Sequence, residues 1–147
     1  MQEYRAALGE KEEAIATLVE RLKDKNDSVR YSAAEALGKL GKASEPVIAA
    51  LVELLKDQND RVRSGAADAL GKLGKATEQV IAALLELLKD ENDSVRYGAA
   101  SALAKLGKNS SDVATAVAER ISQHPDSDNV GNYINVLWDV VAGQSSV

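Results

Sequence analysis

The chain of 147 residues contains no cysteine, no phenylalanine, one histidine, one tryptophan and two prolines. The absence of cysteine excludes disulfides, thiolate metal ligands and thiol nucleophiles, and a single imidazole excludes a two-histidine metal site. No apolar run approaches the roughly 20 residues that span a bilayer. Alanine, leucine, valine and isoleucine therefore have to build the core, and such small aliphatic side chains suit close packing of helix on helix.

The net charge of the chain bears on which class of partner it can bind. The net charge is −5 at pH 7, and 28% of the residues are charged. Because nucleic-acid affinity comes chiefly from Lys and Arg that neutralise phosphates, this acidic balance argues against nucleic acid as the main partner. The start of the chain, MQEYRAALGEKEEA, lacks the apolar segment of a signal peptide. We therefore expect a cytoplasmic location and no membrane partner.

The dominant feature that is present is a 33-residue repeat. Asp24–Lys56 and Asp57–Lys89 are identical at 25 of 33 positions, and a third copy opens at Asp90 and diverges in its second half. A unit of this length is one supersecondary element that cannot bury its apolar face alone, so neighbouring units have to stack into a continuous core. The repeat predicts a protein that presents an extended surface to a partner.

Each unit predicts two helices. Asp27 precedes apolar residues at helical spacing, and an Asp in that place is a good N-cap. Glycine closes this first helix in each copy, as expected for a left-handed C′ position, and Ser44 or Thr77 then caps the second helix. The closing glycines are Gly41, Gly74 and Gly107. The predicted core faces are Val29, Ala33, Ala36, Leu37 and Leu40 on the first helix, and Val47, Ile48, Leu51, Leu54 and Leu55 on the second.

Two further glycines, Gly38 and Gly71, lie inside the last turn of the first helix, where glycine costs about 1 kcal/mol relative to alanine. The third copy has Ala104 in this place, so a positive φ is not required. We predict that these glycines allow close approach of a neighbouring backbone.

Both ends of the chain depart from the repeat. The predicted single domain, 1–147, divides into a partial first repeat 1–23, full repeats 24–56, 57–89 and 90–122, and a C-terminal turn and capping helix at 123–147. Apolar residues continue the second-helix face at Ala14, Ile15, Leu18 and Leu22, and form a face on the last helix at Val130, Ile134, Leu137, Trp138 and Val141. The N-terminal unit is either an excerpt from a longer array, which we favour, or a worn cap. The identity between copies also permits an engineered array.

Two helices per unit and the string D-x-x-D-x-V-R-x-x-A-A-x-A-L-G-K-L-G resemble the HEAT repeat, and more narrowly the short bacterial-type repeat also found in phycobilin lyases. Residues 24–108 match closely. The resemblance implies an all-α fold, a right-handed α-solenoid of stacked antiparallel helix pairs. It also implies a structural ladder in which an Asp six residues ahead of an Arg links successive units. The matching pairs are Asp24/Arg30, Asp57/Arg63 and Asp90/Arg96.

The copies differ most on one face of the first helix. Positions 31, 64 and 97 read Tyr, Ser and Tyr; positions 32, 65 and 98 read Ser, Gly and Gly; and positions 35, 68 and 101 read Glu, Asp and Ser. At 100° per residue, Tyr31 and Glu35 are expected opposite the apolar seam. Tyr is favoured as an interface anchor, and the resemblance implies a partner-binding face from one helix per unit, although any solvated face also varies. The predicted ridge is Tyr31, Glu35, Lys39, Ser64, Asp68, Lys72, Tyr97, Ser101 and Lys105.

Charged rows flank this face, with lysines where the first helices end and aspartates where they begin. Each charge interacts favourably with the helix macrodipole, which stabilises the helix by about 0.3–1 kcal/mol per charge. Stacking of the repeats would also line up the lysines along one edge that a polyanion could bind. The lysines are Lys39, Lys42, Lys72, Lys75, Lys105 and Lys108, and the aspartates are Asp27, Asp60 and Asp93.

Catalytic groups are scarce. His124, the sole imidazole, precedes Pro125 in a predicted turn, so no Ser–His–acid set is indicated, and we expect no catalytic residue, metal or cofactor. The predicted function is a non-catalytic protein–protein interaction scaffold that binds another protein or peptide, as a segment of a larger protein. Two alternatives remain: a phycobilin lyase or bilin chaperone, which the resemblance alone suggests, and polyanion or nucleic-acid binding along the lysine edge.

Overall fold

The computed structural model describes residues 2–145, and all regular secondary structure in that range is α-helical. The predicted all-α class is therefore confirmed. The helices of this range are α1 (Gln2–Arg21), α2 (Asp27–Leu40), α3 (Glu45–Leu54), α4 (Asp60–Leu73), α5 (Glu78–Leu87), α6 (Asp93–Gly107), α7 (Ser111–Gln123) and α8 (Val130–Ser145).

The helices form two layers. The first helices α2, α4, α6 and α8 pack side by side in one layer, and α1, α3, α5 and α7 pack in the other. Each first helix also packs on the second helix that precedes it along the chain. Successive first helices begin 33 residues apart, at Asp27, Asp60 and Asp93. The predicted stack of helix pairs is confirmed, and its right-handed sense stays a prediction.

The N-caps of the first helices lie one residue before the predicted position, so that each helix begins at the aspartate itself. Asn26, Asn59 and Asn92 have extended backbone and are the N-caps; the Asn59 side-chain oxygen, for example, accepts from the Val62 N–H. Such a bond satisfies one of the N–H groups that a helix start leaves unpaired. The prediction of Asp27 as the cap is therefore wrong. Asp27 lies in the first turn, where its charge favours the positive end of the helix dipole.

Glycine ends two of the first helices as predicted. Gly41 and Gly74 have φ values of 73° and 72° and donate their N–H groups to carbonyls four residues earlier. The prediction for Gly107 is wrong, because α6 continues through it and its C-cap, Lys108, is right-handed. A Cβ on Gly107 would lie 2.7 Å from Val140 Cγ1. Glycine at this position therefore makes room for α8 instead of making a turn.

Close approach of neighbouring first helices explains Gly38 and Gly71, as predicted. A Cβ on Gly38 would lie 3.0 Å from Ala69 Cα, and a Cβ on Gly71 would lie 3.0 Å from Ala102 Cα. These are contacts with backbone atoms, which cannot rotate away. The two glycines therefore set how closely α2, α4 and α6 pack.

The second helices bury the face that the sequence predicted. The five buried residues of α3 and the following turn are Val47, Ile48, Leu51, Leu54 and Leu55. On α2, Ala33 and Leu37 are buried, whereas Val29, Ala36 and Leu40 are half-buried. Thr77 caps α5 by accepting from the Val80 N–H. Ser44 is the N-cap of α3 as predicted and its carbonyl accepts from the Ile48 N–H, but its side chain makes no cap bond.

The N-terminal part of the chain is simpler than the repeat predicted. Residues 2–21 form one helix, with no break where the turn between a first and a second helix would fall. Leu8 stands one period before Gly41, so the residue type that ends α2 is absent at that point. Ile15 is buried as predicted, whereas Ala14 is exposed.

The C-terminal helix α8 buries a different face from the one predicted. Tyr133, Val136 and Val140 are buried, whereas Ile134, Trp138 and Val141 are exposed. Adjacent positions differ by 100° around a helix, so α8 carries apolar side chains on two neighbouring faces. Contact with α6 and α7 selects one of them, and the sequence pattern alone did not.

Within residues 2–145, no helix combines the length and apolar character that crossing a bilayer requires.

Candidate functional site

An arginine crosses each of the two inner boundaries between repeats. The Arg30 Nε and Nη2 atoms donate to the two carboxylate oxygens of Asp57 at 2.8 and 3.0 Å, and Nη1 donates to the Asp24 carbonyl at 2.8 Å. Arg63 repeats the arrangement on Asp90, at 2.9 and 3.1 Å. The planar guanidinium fork suits this bidentate geometry. One side chain thus joins the loop before its own helix to the loop of the next repeat.

The partners differ from the predicted pairs. Arg30 was paired with Asp24, but it meets only the Asp24 backbone carbonyl, and its carboxylate partner is Asp57, 27 residues later. The same change applies to Arg63, which meets the Asp57 carbonyl and the Asp90 carboxylate. The ladder therefore links successive repeats through a carboxylate one repeat further along the chain.

The ladder ends at the third repeat. Gln123 occupies the position 27 residues after Arg96, so no carboxylate is available there. Arg96 instead donates to the Asp90 carbonyl and pairs with the carboxylate of Asp93 in its own first turn. The predicted Asp90/Arg96 pair is thus a carbonyl contact.

Burial and pairing set the charge state of the ladder. Burial by itself raises the pKa of Asp57, but the hydrogen bonds from the Arg30 guanidinium and the Asn59 N–H outweigh it, so the pKa lies below the ordinary value of 3.8. The pKa of Asp90 is lowered in the same way by Arg63 and Asn92. Both carboxylates are therefore ionised at neutral pH, which suits a structural ion pair.

A second polar bridge crosses the same boundaries. The Asn59 Nδ2 donates to Asp27 Oδ2 at 2.8 Å, and the Asn92 Nδ2 donates to Asp60 Oδ2 at 2.8 Å. Asn59 and Asn92 thus use the side-chain oxygen on their own helix and the amide nitrogen on the preceding one. The aspartates of the predicted acidic row, at least at these two positions, hold neighbouring repeats together.

The predicted ridge lies along a groove across α2, α4 and α6, with a volume of about 510 Å³. Six of the nine predicted residues line it: Tyr31, Glu35, Ser64, Asp68, Tyr97 and Ser101. The remaining three, Lys39, Lys72 and Lys105, are exposed and follow these residues towards the C-terminal ends of the same helices. The structure therefore places residues from three repeats on one continuous concave surface.

The helical projection predicted that Tyr31 points away from the apolar seam. The structure shows a different orientation. It is half-buried and packs against the core. A Cβ on Gly65 would lie 2.8 Å from Tyr31 Cδ2, and the Arg61 guanidinium lies 4.5 Å from the centre of the ring. The ring therefore lies against Gly65 of the next helix, with the guanidinium of Arg61, from the same helix, over it.

Tyr97 has the same place in the third repeat but a different environment. It is 78% exposed, the most exposed of the large apolar side chains in the described range. An exposed tyrosine at the wall of a groove offers apolar area and a hydroxyl at low entropic cost. Of the two predicted aromatic anchors, Tyr97 is the accessible one.

The ridge lysines are paired with carboxylates on the same surface. Lys39 Nζ lies 3.2 Å from Glu35 Oε1, Lys72 Nζ lies 3.1 Å from Asp68 Oδ2, and Lys105 Nζ lies 3.7 Å from Asp68 Oδ1. The hydrogen bond with Asp68 raises the pKa of Lys72. These pairs reduce the local positive field that a polyanion would need.

Sequence reasoning missed five residues of the groove. These are Arg61, Gly65, Asp93, Ser94 and Gly98. The signal for the glycines was available, because positions 32, 65 and 98 vary between copies just as positions 31, 64 and 97 do. The contact of Arg61 with a residue 30 positions earlier carries no signal in a single sequence.

Among the residues that the structure describes, no group of three or more His, Asp or Glu side chains lies close enough to hold a metal ion.

Comparison with known proteins addresses the fold. The chain matches no curated protein. Among solved structures it is similar to the engineered protein that is Northeast Structural Genomics Consortium target OR329, with TM-score 0.60 and 20% identity over 90% of this chain and 62% of that one. It is also similar to the engineered protein OR366, with TM-score 0.60 and 24% identity over 88% of this chain and 62% of that one.

A third similar structure is the designed armadillo repeat protein YIII(Dq)4CqI, with TM-score 0.60 and 20% identity over 86% of this chain and 63% of that chain. The chain thus spans about three fifths of the length of these structures. At such identities they show the repeat-solenoid fold alone. The family profile described as HEAT repeats matches residues 5–71 and 48–132, most of the chain. Together with the stacked helix pairs and the Arg–Asp ladder, this match establishes that the chain belongs to the HEAT repeat family.

Proposed function

We propose that this chain is a non-catalytic protein-interaction module that binds a partner protein or peptide along the ridge of its first helices. The groove across α2, α4 and α6 supports the proposal, because it gathers varied side chains from three repeats around the exposed ring of Tyr97. Interfaces draw most of their affinity from a few aromatic anchors surrounded by polar contacts. The groove has that composition.

The division between fixed and varied positions also supports this function. Residues that keep neighbouring repeats in contact, such as Arg30, Arg63, Gly38 and Gly71, are either paired across a boundary or packed against backbone. Positions 31, 64 and 97 and positions 35, 68 and 101, which differ between copies, line the groove instead. Most positions that hold the repeats together are thus distinct from the positions proposed for recognition.

The proposal also covers the extent of the domain, the protein that contains it and its location in the cell. We propose that residues 1–147 form one domain, that the domain is a segment of a larger protein, and that it acts in the cytoplasm. The first suggestion is supported by a core that continues from α1 to α8.

A ridge variant tests the proposal. A partner is first captured from native lysate and identified by mass spectrometry, and its affinity is then measured by calorimetry for the wild type and for Tyr97→Ala/Glu35→Ala/Ser101→Ala. We expect the triple variant to weaken binding by about tenfold or more, since a hot-spot side chain is worth about 2 kcal/mol.

The matched control changes one exposed residue on each second helix, as Glu53→Ala/Gln79→Ala/Glu119→Ala. This control is expected to bind as the wild type does. Equal affinity of the wild type and the ridge variant for the same partner would show that the partner binds elsewhere.

A further inference from the structure

The two inner boundaries of the stack differ at one point in the groove. At the boundary of α2 and α4, the ring of Tyr31 lies against Gly65 and beneath Arg61. The positions one period later, at the boundary of α4 and α6, are Ser64, Gly98 and Ser94. The second boundary therefore has the glycine that receives a ring but lacks both the ring and the cation above it.

The side chain that replaces the ring is much smaller. A Cβ on Gly98 would meet Ser64 Oγ at 3.2 Å, whereas a Cβ on Gly65 would meet the Tyr31 ring at 2.8 Å. Ser64, Ser94 and Gly98 all line the groove, and Tyr31 and Tyr97 stand in the same lining. The space that a ring at position 64 would fill is thus part of the groove.

From this comparison we propose that the groove contains a socket over Gly98, walled by Ser64 and Ser94, that receives a tyrosine-sized aromatic side chain of the partner. The proposal rests on the proposed function and specifies the chemistry of the partner: a polypeptide segment that presents a six-membered aromatic ring. The chain itself supplies the model for the contact, because Tyr31 on Gly65 makes the equivalent contact within the α2–α4 interface.

The shape and polarity of the socket favour a ring over a charged group. Its walls are two hydroxyls and a backbone segment, and two carboxylates of the groove lining are already paired: Asp68 with Lys72 at 3.1 Å, and Asp93 with Arg96. A flat ring can lie directly against a glycine backbone, as the Tyr31 ring does at Gly65, and it buries a large apolar area. Tyr97, 78% exposed, lies beside the socket and can pack edge to face against an incoming ring.

The test uses p-cresol, the tyrosine side chain as a free molecule, titrated into ¹⁵N-labelled protein and followed by amide chemical shifts. In the wild type we expect the largest shifts at Gly98, Ser64 and Ser94. Ser64→Tyr places a ring in the socket and should weaken p-cresol binding at Gly98 by about tenfold or more, roughly the loss of one well-packed aromatic contact. Ser64→Thr, which adds only a methyl group, is the matched control and should keep the shifts.

Tyr31→Ala is expected to have the opposite effect to Ser64→Tyr, because it should create a binding site for p-cresol instead of filling one. Removing the resident ring opens the equivalent space over Gly65, so this variant should gain a second p-cresol site, reported by the Gly65 amide, while keeping the site at Gly98. Unchanged shifts in Ser64→Tyr, shifts centred on the exposed Trp138 face of α8, or no shifts in the wild type would each overturn the socket.

Partner binding separates the socket from the ridge. If the Tyr97/Glu35/Ser101 variant loses a confirmed partner while Ser64→Tyr still binds that partner as the wild type does, the ridge stands and the socket is wrong. If p-cresol binds at Gly98 but the ridge variant binds the partner normally, the space over Gly98 does accept a ring, whereas the proposed function, and with it the partner as the source of that ring, is wrong.

Discussion

The two inner boundaries of the stack, α2–α4 and α4–α6, are nearly copies of each other, whereas the last boundary, α6–α8, is built differently. Each inner boundary has a bidentate Arg–Asp pair, an Asn–Asp bridge and a glycine against an alanine backbone. The last boundary has none of these three contacts among the described residues. It has Gly107 against Val140, the buried ring of Tyr133 and a hydrogen bond from Asn132 to the Leu88 carbonyl.

The difference shows what each kind of contact does. Apolar packing is the main contact that docks α8 on the stack, since α8 buries three large side chains and, among the described residues, makes one hydrogen bond to the Leu88 carbonyl and no ion pair to α6. The polar ladder joins one loop to the next at each inner boundary. A further ion pair lies in the layer of α1, α3, α5 and α7, where Arg120 Nη1 is 2.7 Å from Glu86 Oε1.

The largest expected effect concerns the shared apolar core. Leu70 on α4 is fully buried, and Leu70→Ala should lower the free energy of unfolding by about 2–5 kcal/mol because it leaves a cavity. Leu137→Ala on α8, where the side chain is only half-buried, should cost less than half as much. Urea unfolding followed by circular dichroism measures both, and equal losses would mean that the last boundary is as tightly packed as the inner ones.

The second prediction compares the loss of Arg63, which pairs across a repeat boundary, with the loss of Arg96, which does not. Arg63→Gln leaves the nearly buried carboxylate of Asp90 without its cation and should cost about 3 kcal/mol. Arg96→Gln removes a pair whose carboxylate, Asp93, is 92% exposed, and should cost about 1 kcal/mol or less. The same urea titration compares the two variants, and a loss at position 96 as large as at position 63 would contradict the end of the ladder.

A pair of opposite substitutions probes the helix approach. Gly71→Ala puts a Cβ 3.0 Å from Ala102 Cα, and overpacking of about 1–3 kcal/mol should exceed the gain of about 1 kcal/mol in helix propensity. Ala104→Gly, one period later, should also destabilise, by about 1 kcal/mol or less, because that position tolerates a side chain. Thermal unfolding tests both; stabilisation by Gly71→Ala would refute the close approach.

The smallest expected effect is a dependence on pH. The folded-state pKa of Asp57 and of Asp90 is lowered from 3.8, so their pairs stabilise the protein fully above the unfolded-state value and lose that contribution as the pH falls through the lowered values. Stability should therefore decline below about pH 4. In Arg63→Gln the decline should be shallower, because the pKa of Asp90 is no longer lowered by Arg63. An equally steep decline in the variant would assign the effect to other carboxylates.

The repeat made much of the fold predictable. Helices of the repeated units, the buried face of α3 and the close approach at Gly38 and Gly71 followed from spacing and from comparison of the copies. The faces of unrepeated segments were harder to predict, because α8 has apolar residues on two sides and no second copy shows which side is constrained. Gly107 was misread for a different reason: its counterparts Gly41 and Gly74 are left-handed caps, and a glycine near a helix end fits either such a cap or a close contact.

The candidate site was predictable in outline only. Variation between copies identified six residues that line the groove, including Tyr97. It did not show that Tyr31 is held beneath Arg61 while the equivalent space over Gly98 lacks a ring, because that contrast depends on how far neighbouring helices stand apart. Nor did it identify Asp57 as the partner of Arg30, since the family resemblance implied the aspartate six residues before the arginine.

The sequence by itself determined the period, the helical class and the inward faces of the repeated helices, because these depend on residues that lie a few positions apart on one helix. Tertiary structure decided which carboxylate each arginine meets, which side of α8 is buried and where the groove has room for a ring. Those outcomes depend on distances between residues about 30 positions apart, and such distances are set only when the repeats pack together.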